Sequence, residues 1–334
     1  LSMYFRQRFG QKVRKIPLDA GFSCPNRDGF LSKKGCLFCN PKGSGTGLRE
    51  KGMDLQQQWM HWHLKFTEGS SGKKSATLFM AYLQSFSNTY GPLEKLKDTL
   101  DQLFRPANRL PLPGFAGLCL GTRPDCLEDD KIRLLAEQPT SEIWLDIGLQ
   151  TASDSVLERI NRGHTAKQFA DAVERIFSIT QGRIKVCAHV IAGLPGEDMD
   201  AFKESVKFVD ALPVHGIKFH NIYVAKHTGL AKLWELGDYV PPEMDEYVTT
   251  LLHCLSILRQ DIVIHRLGSD PARNELLAPL WAEHKREVLN RLDALLNEWN
   301  TWQGKERDDT TGTMPEWFTP EGQLPESVSP HNEQ

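Results

Sequence analysis

The chain has 334 residues, 40% hydrophobic and 25% charged, with a formal net charge of −3 and a pI near 6.4. That is the usage of a globular protein with one large α/β domain plus an extension, or of two domains, and it provides no overall field to draw polyanions. No apolar run approaches the roughly 20 residues of a membrane span and no signal-peptide pattern precedes the first cysteine; seven cysteines, three of them close together, suit a reducing cytoplasm better than a disulfide framework.

Taken in order, the chain opens with a basic run, "RQRFGQKVRK", that carries Arg6, Arg8, Lys12, Arg14 and Lys15 and no acid. Such a run is read as a solvated face, or, beside the cysteine loop that follows, as a grip for phosphate. "KVRKIPLDAG" reads as a strand. "MDLQQQWMHWHLKF" reads as a helix with Leu55, Trp59 and Leu64 or Phe66 on one side. "ATLFMAYLQS", "FAGLCLGT", "EIWLDIGLQ", "RIKVCAHVIAG" and "GIKFHNIYVA" read as strands. Between them lie helical stretches: "LEKLKDTLDQLF", "EDDKIRLLAEQ", "SDSVLERI" with "AKQFADAVERIFSI", and "DMDAFKESVKFVDAL". Six strands alternating with helices predict a parallel sheet of βα units. The expected fold is α/β, a partial (β/α)6 TIM-like barrel over residues 1–228 with a C-terminal helical extension over 229–302; an open doubly wound sheet is the alternative. The extension holds helical "GLAKLWELGDYVPP" and "MDEYVTTLLHCLSIL", a short strand "DIVIHRL" and an amphipathic helix in 279–299, read as packing on the barrel or as a dimer contact. Residues 303–334, rich in Gly, Pro, Ser, Thr and acids, read as a disordered tail.

The densest chemical signal is the loop 22–41, which carries Cys24, Cys36 and Cys39. Gly29 and Gly35 permit tight backbone there, and Pro25 and Pro41 stiffen it. Following the first strand, it belongs at the C-terminal mouth of a barrel, where active sites of such folds lie. A structural zinc site needs four ligands, usually in two close pairs. An Fe–S cluster also takes four cysteines as a rule, and one held by three keeps an iron open to a small molecule. The cysteines alone leave both readings standing.

The spacing Cys24-x11-Cys36-x2-Cys39 after strand one of a βα barrel resembles the radical SAM superfamily. "GFSCPNRDG", "GTRPDC", "IGLQT", "NRGH", "HVIAGLPGE" and "HRLGSD" together resemble its YhcC/YtqA-type, Elongator-like group. The resemblance implies that Cys24, Cys36 and Cys39 hold a [4Fe–4S] cluster whose open iron is chelated by S-adenosylmethionine. It also implies that Phe38 lies near the adenine, and that Gln150 and Arg162 contact the cofactor. The segment with His189, Ile191 and Gly193 corresponds to the family's adenine-binding stretch. Two departures stand out. The strand-two Gly-Gly pair of many relatives is "LQSFSNT" here, which leaves Gln84 or Ser85 to receive the cofactor's amino group, and Gly121 stands where an acid often precedes "TRPD".

Side chains two apart on a strand share a face. On strand four, Trp144, Asp146, Gly148 and Gln150 share one face and Ile143, Leu145, Ile147 and Leu149 the other. The apolar set meets the helices, so the set with Asp146 and Gln150 looks inward. Tyr82 on strand two, His189 on strand five, and Lys218 and His220 on strand six join it. Polar faces converging on one lumen suit a cofactor and substrate cavity, with Tyr82, Lys218 and His220 as candidate catalytic residues and Asp146 and His189 as cofactor contacts. Asp146 and Lys185 are alternatively a structural ion pair, and His189 a satisfied core histidine. Cys119, Cys126, Cys187 and Cys254 read as buried small hydrophobes, with Cys126 also a candidate substrate-side thiol.

What the resemblance implies is an enzyme that receives one electron from a flavodoxin- or ferredoxin-type reductant, cleaves S-adenosylmethionine reductively and abstracts a substrate hydrogen. Elongator-like relatives act on the wobble uridine of transfer RNA, so tRNA is the expected partner. A small molecule or peptide is the alternative substrate, and a zinc-stabilised scaffold the alternative of another class.

Overall fold

A computed structural model describes residues 1–40, 43, 45–68, 78–104, 112–271 and 274–307. Pro41 and the tail beyond residue 307 lie outside the described residues. Alternation of inward and outward side chains produces β1 (Val13–Leu18), β2 (Leu78–Leu83), β3 (Phe115–Thr122), β4 (Ile143–Gln150), β5 (Lys185–Ala192) and β6 (Gly216–Asn221). Two short strands, β7 (Val224–Ala225) and β9 (Leu276–Ala278), pair antiparallel beside them, and β8 (Val263–Leu267) adds a seventh strand to the main sheet. Its order is β1-β2-β3-β4-β5-β6-β8, parallel throughout, so the sheet curls as a half-barrel rather than opening into a doubly wound sheet. The seventh strand comes from the stretch read as an extension, because "DIVIHRL" pairs with β6 instead of standing apart.

The helices are α1 (Ser2–Phe9), α2 (Leu55–Glu68), α3 (Leu93–Phe104), α4 (Asp129–Ala136), α5 (Asp154–Arg159), α6 (Ala166–Thr180), α7 (Met199–Asp210), α8 (Gly229–Glu235), α9 (Met244–Ile257) and α10 (Lys285–Glu298). The outward strand residues, among them Leu145, Ile147, Val186, Val190 and Phe219, pack against Trp59, Leu100, Phe169, Phe202 and Leu251 of the helices. At 25 cal/mol per Å2 of buried apolar surface, each such side chain contributes about 2 kcal/mol. α10 joins this core through Val288, Leu292, Leu295 and Leu296, lying against α9.

Two expectations fail here for physical reasons. The basic run does not flank the mouth. Residues 2–9 form α1, which inserts Phe5 into a cluster with Met80, Cys119, Trp144 and Cys187 inside the N-terminal end of the barrel. Tyr4 Oη donates to Glu142 (2.7 Å), Arg8 pairs with Glu142 (3.5 Å), and the Leu1 amino group donates to the Ile264 carbonyl (2.8 Å). A short aromatic-rich helix closes the barrel floor, and Arg8 and the N-terminal amino group serve that docking. The tail is not disordered from its start: Gln303 is buried and donates to the Arg259 and Ile262 carbonyls, Gly304 N–H donates to Leu255, and Arg307 pairs with Asp210. These bonds satisfy carbonyls at the end of α9 and the start of β8, which would otherwise be left without partners.

Candidate functional site

The cysteine loop lies across the C-terminal ends of the strands. Leu37 N–H donates to the Ile160 carbonyl (2.9 Å), Asn161 Nδ2 to the Gly35 carbonyl (2.7 Å), and Leu230 N–H at the start of α8 to the Leu37 carbonyl (2.8 Å). So anchored, Cys24, Cys36 and Cys39 line one cavity of about 270 Å3, together with Phe38, Gln84, Gly121, Asp146, Gly148, Gln150, His189 and Lys218. Burial pushes the thiols of Cys24 and Cys39 up, so these groups ionise only with compensation from a bound metal or nearby cations. The cations are present. Arg27 donates to the Cys39 carbonyl (3.0 Å), and Arg123 forms a fork on Asp125 (2.9 Å) while donating to the Arg162 carbonyl (2.8 Å). Cys36 Sγ accepts from Asn26 Nδ2 (3.4 Å) and Arg162 Nη1 (3.6 Å). N–H donors on sulfur are what a cluster-bound thiolate requires. The three sulfurs do not gather within 4.8 Å of one another, wider than the roughly 3.8 Å edge of a tetrahedral zinc–thiolate site. The residues therefore fit a cluster held by three thiolates better than zinc.

Beside the loop, β4 ends irregularly. Its register with β5 shifts between Gly148 and Gln150, and Gln150 takes a left-handed φ of 81°. Gly148 has no room for a side chain: a Cβ there would lie 2.5 Å from Arg162 Nη2 and from Gln150 Nε2. Arg162 uses this approach to donate to the Gly148 carbonyl (2.9 Å), and its Nε donates to His164 Nε2 (2.9 Å). Burial, and the guanidinium groups of Arg162 and Arg123, push His164 down to about 2, so it stays a neutral acceptor.

Deeper in the lumen the polar network centres on Asp146, whose side chain is fully buried. Lys218 Nζ contacts its Oδ2 and Tyr82 Oη (3.1 Å); Lys15 Nζ lies 3.8 Å from the same Oδ2 and 4.9 Å from the centre of the Tyr82 ring; His189 and His265 lie 3.7 Å and 4.0 Å from the carboxylate. Burial favours the neutral acid, but Lys15 and Lys218 outweigh it and hold the carboxyl well below its ordinary value. Burial and Lys218 push His189 down to about 4. Burial, with His189 and Arg266 nearby, holds His220 well below its ordinary value. Asp146, Cys187 and His189 bring ligand atoms within 4.8 Å of one another, but two ammonium groups at the same carboxylate would repel a metal cation, so this is a polar network and not a second metal centre. The expected Asp146–Lys185 pair is replaced: Lys185 lies one layer lower and pairs with Glu142 (3.1 Å).

Of the sequence-derived residues, the fold brings Cys24, Cys36, Cys39, Phe38, Tyr82, Gln84, Asp146, Gln150, Arg162, His189, Lys218 and His220 to this cavity, and Ile191 to an adjoining one shared with Phe38, Cys39 and Gln150. Gly193 is not there. Its φ of 83° and its contact with Pro242, 2.7 Å from where a Cβ would stand, make it a packing glycine. Cys126 is buried, and desolvation pushes its thiol up to about 12, so it offers no substrate-side nucleophile. Sequence reasoning passed over Asn26, Arg27 and Arg123, though all three stand in the quoted "PNRDG" and "TRPD" motifs. It also passed over Arg266, which reaches the cavity from β8.

A model of the Radical SAM superfamily matches residues 33–209, and one of the Radical_SAM C-terminal domain matches residues 214–298. The chain is 35% identical over 310 residues to YtqA of Bacillus subtilis, covering 91% of each, and 36% identical over 295 residues to YhcC of Escherichia coli, covering 87% of this chain and 90% of that one. A tRNA uridine(34) acetyltransferase of Methanocaldococcus jannaschii is 27% identical over 157 residues, 46% of this chain and 28% of that protein. Among solved structures, Elp3 of Methanocaldococcus infernus superposes with a TM-score of 0.61 at 15% identity, over 84% of this chain and 63% of that one, a likeness of fold alone. These matches overturn the zinc-scaffold alternative. With a superfamily model over just over half of its length and relatives above one-third identity along nearly all of it, the chain belongs to the radical SAM superfamily, and is an enzyme whose cofactors are a [4Fe–4S] cluster and S-adenosylmethionine.

Proposed function

We propose that this enzyme modifies the side chain of the wobble uridine of transfer RNA. The observation that carries the reading is the rim of the cavity. The loop whose inner side presents Cys24 and Cys36 has an outer side that exposes Phe30 (77%), Lys33 and Lys34. An exposed ring for base stacking beside ammonium groups for phosphate suits a single-stranded RNA loop. The partial identity to a tRNA uridine(34) acetyltransferase supports the same substrate class. In this reading Arg6 and Arg8 of the N-terminal basic run take no part, since α1 closes the floor of the barrel, and Lys15 turns into the lumen against Asp146.

In this reading Cys24, Cys36 and Cys39 ligate the cluster, and Asn26 and Arg162 direct N–H groups at the Cys36 sulfur. Phe38, Gln84, Gln150, Arg162, His189 and Ile191 hold S-adenosylmethionine, and Tyr82, Lys218 and His220 face the substrate. Held by these residues, the cluster and S-adenosylmethionine would supply reductive cleavage of the sulfonium and radical hydrogen abstraction from the substrate. The protein orients both partners and keeps water away: Lys218 is fixed by Asp146 and Tyr82, so its ammonium is held rather than free to wander. The electron comes from a flavodoxin- or ferredoxin-type donor, and the site of action is the cytoplasm. The catalytic barrel comprises residues 1–228 completed by β8 from the stretch 229–302, the rest of which packs on it as an extension. Nucleoside mass spectrometry of tRNA from cells with and without the gene tests the reading. A wobble-uridine derivative lost with the gene, and restored by the native chain but not by Cys39→Ala, is the expected result; identical profiles would refute it in favour of a small-molecule or peptide substrate.

A further inference from the structure

The charges of the lumen do not balance. Lys15, Lys218 and Arg266 are cations, and among the described residues Asp146 is the one carboxylate that lines this cavity. Lys15 and Lys218 share Asp146, so one negative charge stands against two positive ones before Arg266 is counted. Arg266 is half-buried, lies opposite Lys218 in the β6–β8 register, and has no hydrogen bond or ion pair among the described residues. The neighbouring imidazoles of His189, His220 and His265 are held neutral by burial and by these cations, so they add acceptors or donors but no charge.

The cofactors do not supply the missing anion. A cluster core with two positive charges and three thiolates carries one negative charge. S-adenosylmethionine, with sulfonium, ammonium and carboxylate, carries one net positive charge, and together they cancel. Arg27 and Arg162, by the cysteine loop, add further positive charge at the mouth. Unbalanced cations that are wholly or half buried are costly unless a ligand completes them.

We propose that Arg266, with Lys218 and His220, forms an anion pocket at the β6–β8 side of the lumen, and that the group placed there by the substrate is an anion, a carboxylate or a phosphoester. This deepens the proposed function by naming the charge class of the substrate, and it rests on that reading only in placing the substrate in the lumen; it does not require tRNA. A guanidinium suits the task because its planar fork holds two oxygens of a carboxylate or phosphate at once.

The test uses the reconstituted enzyme with S-adenosylmethionine bound, titrated by calorimetry with malonate, with inorganic phosphate, and with malonamide as the neutral control. Malonate or phosphate is expected to bind and malonamide not. Arg266→Gln should weaken the anion at least tenfold, Arg266→Lys should retain part of the affinity, and both should keep native iron content and S-adenosylmethionine affinity. Malonate binding more tightly than phosphate identifies a carboxylate pocket, and the reverse a phosphoester pocket. Malonamide binding as well as malonate, or unchanged anion affinity in Arg266→Gln, would overturn the proposal. Should Arg266→Gln lose iron, Arg266→Met and Arg266→Lys provide the same comparison. A tRNA nucleoside profile that does not change, with anion binding intact, would refute the tRNA reading alone.

Discussion

Replacing Asp146 by Asn should destabilise the protein by about 3–5 kcal/mol, the usual cost of breaking a buried ion pair from one side. The structure sets the terms of that figure. The Asp146 side chain is fully buried, Lys218 and Lys15 are 8% and 17% exposed, and both face the same carboxylate oxygen. Removing the charge leaves two largely buried ammonium groups without their carboxylate. The chain has one escape, which is to release a proton from a lysine. Bringing an ordinary lysine from about 10.4 to neutral pH costs about 4–5 kcal/mol, which caps the loss. The pH dependence then changes sign between the two proteins. In the wild type the carboxyl is depressed, so its contribution is present above the unfolded value near 4 and is lost as pH falls through the folded one. In Asp146→Asn a lysine is depressed, so the unfolded chain binds more protons and stability rises with pH from about 7 towards 10. Thermal unfolding of the two proteins over pH 5–9, together with Lys218→Met and the double variant, reads the effect. The double variant should recover part of the loss, because it no longer buries that unpaired ammonium. An Asp146→Asn protein as stable as wild type at pH 7, with no slope above it, would refute the charge accounting of the lumen.

Cys36→Ala should abolish iron and sulfide incorporation on anaerobic reconstitution while Cys119→Ala, in the barrel floor, retains it; equal iron in both would sink the cluster assignment. Arg162→Met removes a cation and an N–H donor from the Cys36 sulfur, so the cluster's midpoint potential, followed by EPR-monitored titration, should move to more negative values. Gly148→Ala places a Cβ 2.5 Å from Arg162 and Gln150 and should weaken S-adenosylmethionine binding about tenfold or more, by calorimetry, if those two residues hold it. Glu197, pushed up to about 7 by burial, keeps its proton in the folded state between about 4.3 and 7, so stability falls as pH rises through that window. Glu197→Gln should flatten that slope and stabilise the protein at pH 8, measured by thermal unfolding.

The half-barrel was legible because its strands carry two signals at once. In β4, Ile143, Leu145, Ile147 and Leu149 alternate with Trp144, Asp146, Gly148 and Gln150, and the apolar set does meet the helices. The cysteine loop stood out by its spacing, which alone left zinc and a cluster open; the resemblance to the radical SAM superfamily decided between them. The partners of charged residues were not, since strand parity says which side a residue faces but not how high in the barrel it sits. Lys185 and Asp146 share the lumen but stand in different layers, and Lys185 takes Glu142 while Asp146 takes Lys15 from a strand far away in sequence. Lys15 had been counted with the basic run, yet one step of strand parity turns it inward. The eight residues of α1 hid for a related reason: Tyr4, Phe5 and Phe9 are a docking face, but Arg6, Arg8, Lys12 and Arg14 dominate the local composition. Gly193 lies outside the two cavities described, and the close approach of Pro242 requires a glycine there, a demand that sequence alone does not separate from one made by a ligand.

The insertion of Phe5 above Trp144 has a kinetic consequence. Among the described residues Phe5 closes the floor and the cavity opens beside the cysteine loop, where cofactor and substrate would both enter. The smaller molecule must enter first, and a large substrate seated at the rim locks it in until turnover ends. Steady-state kinetics should therefore be ordered, with S-adenosylmethionine leading, and the modified substrate should leave before methionine and the spent nucleoside. Opening the floor by Phe5→Ala would cost about 3–5 kcal/mol of packing, and would also admit water to the lumen from below, raising the share of S-adenosylmethionine cleaved without product.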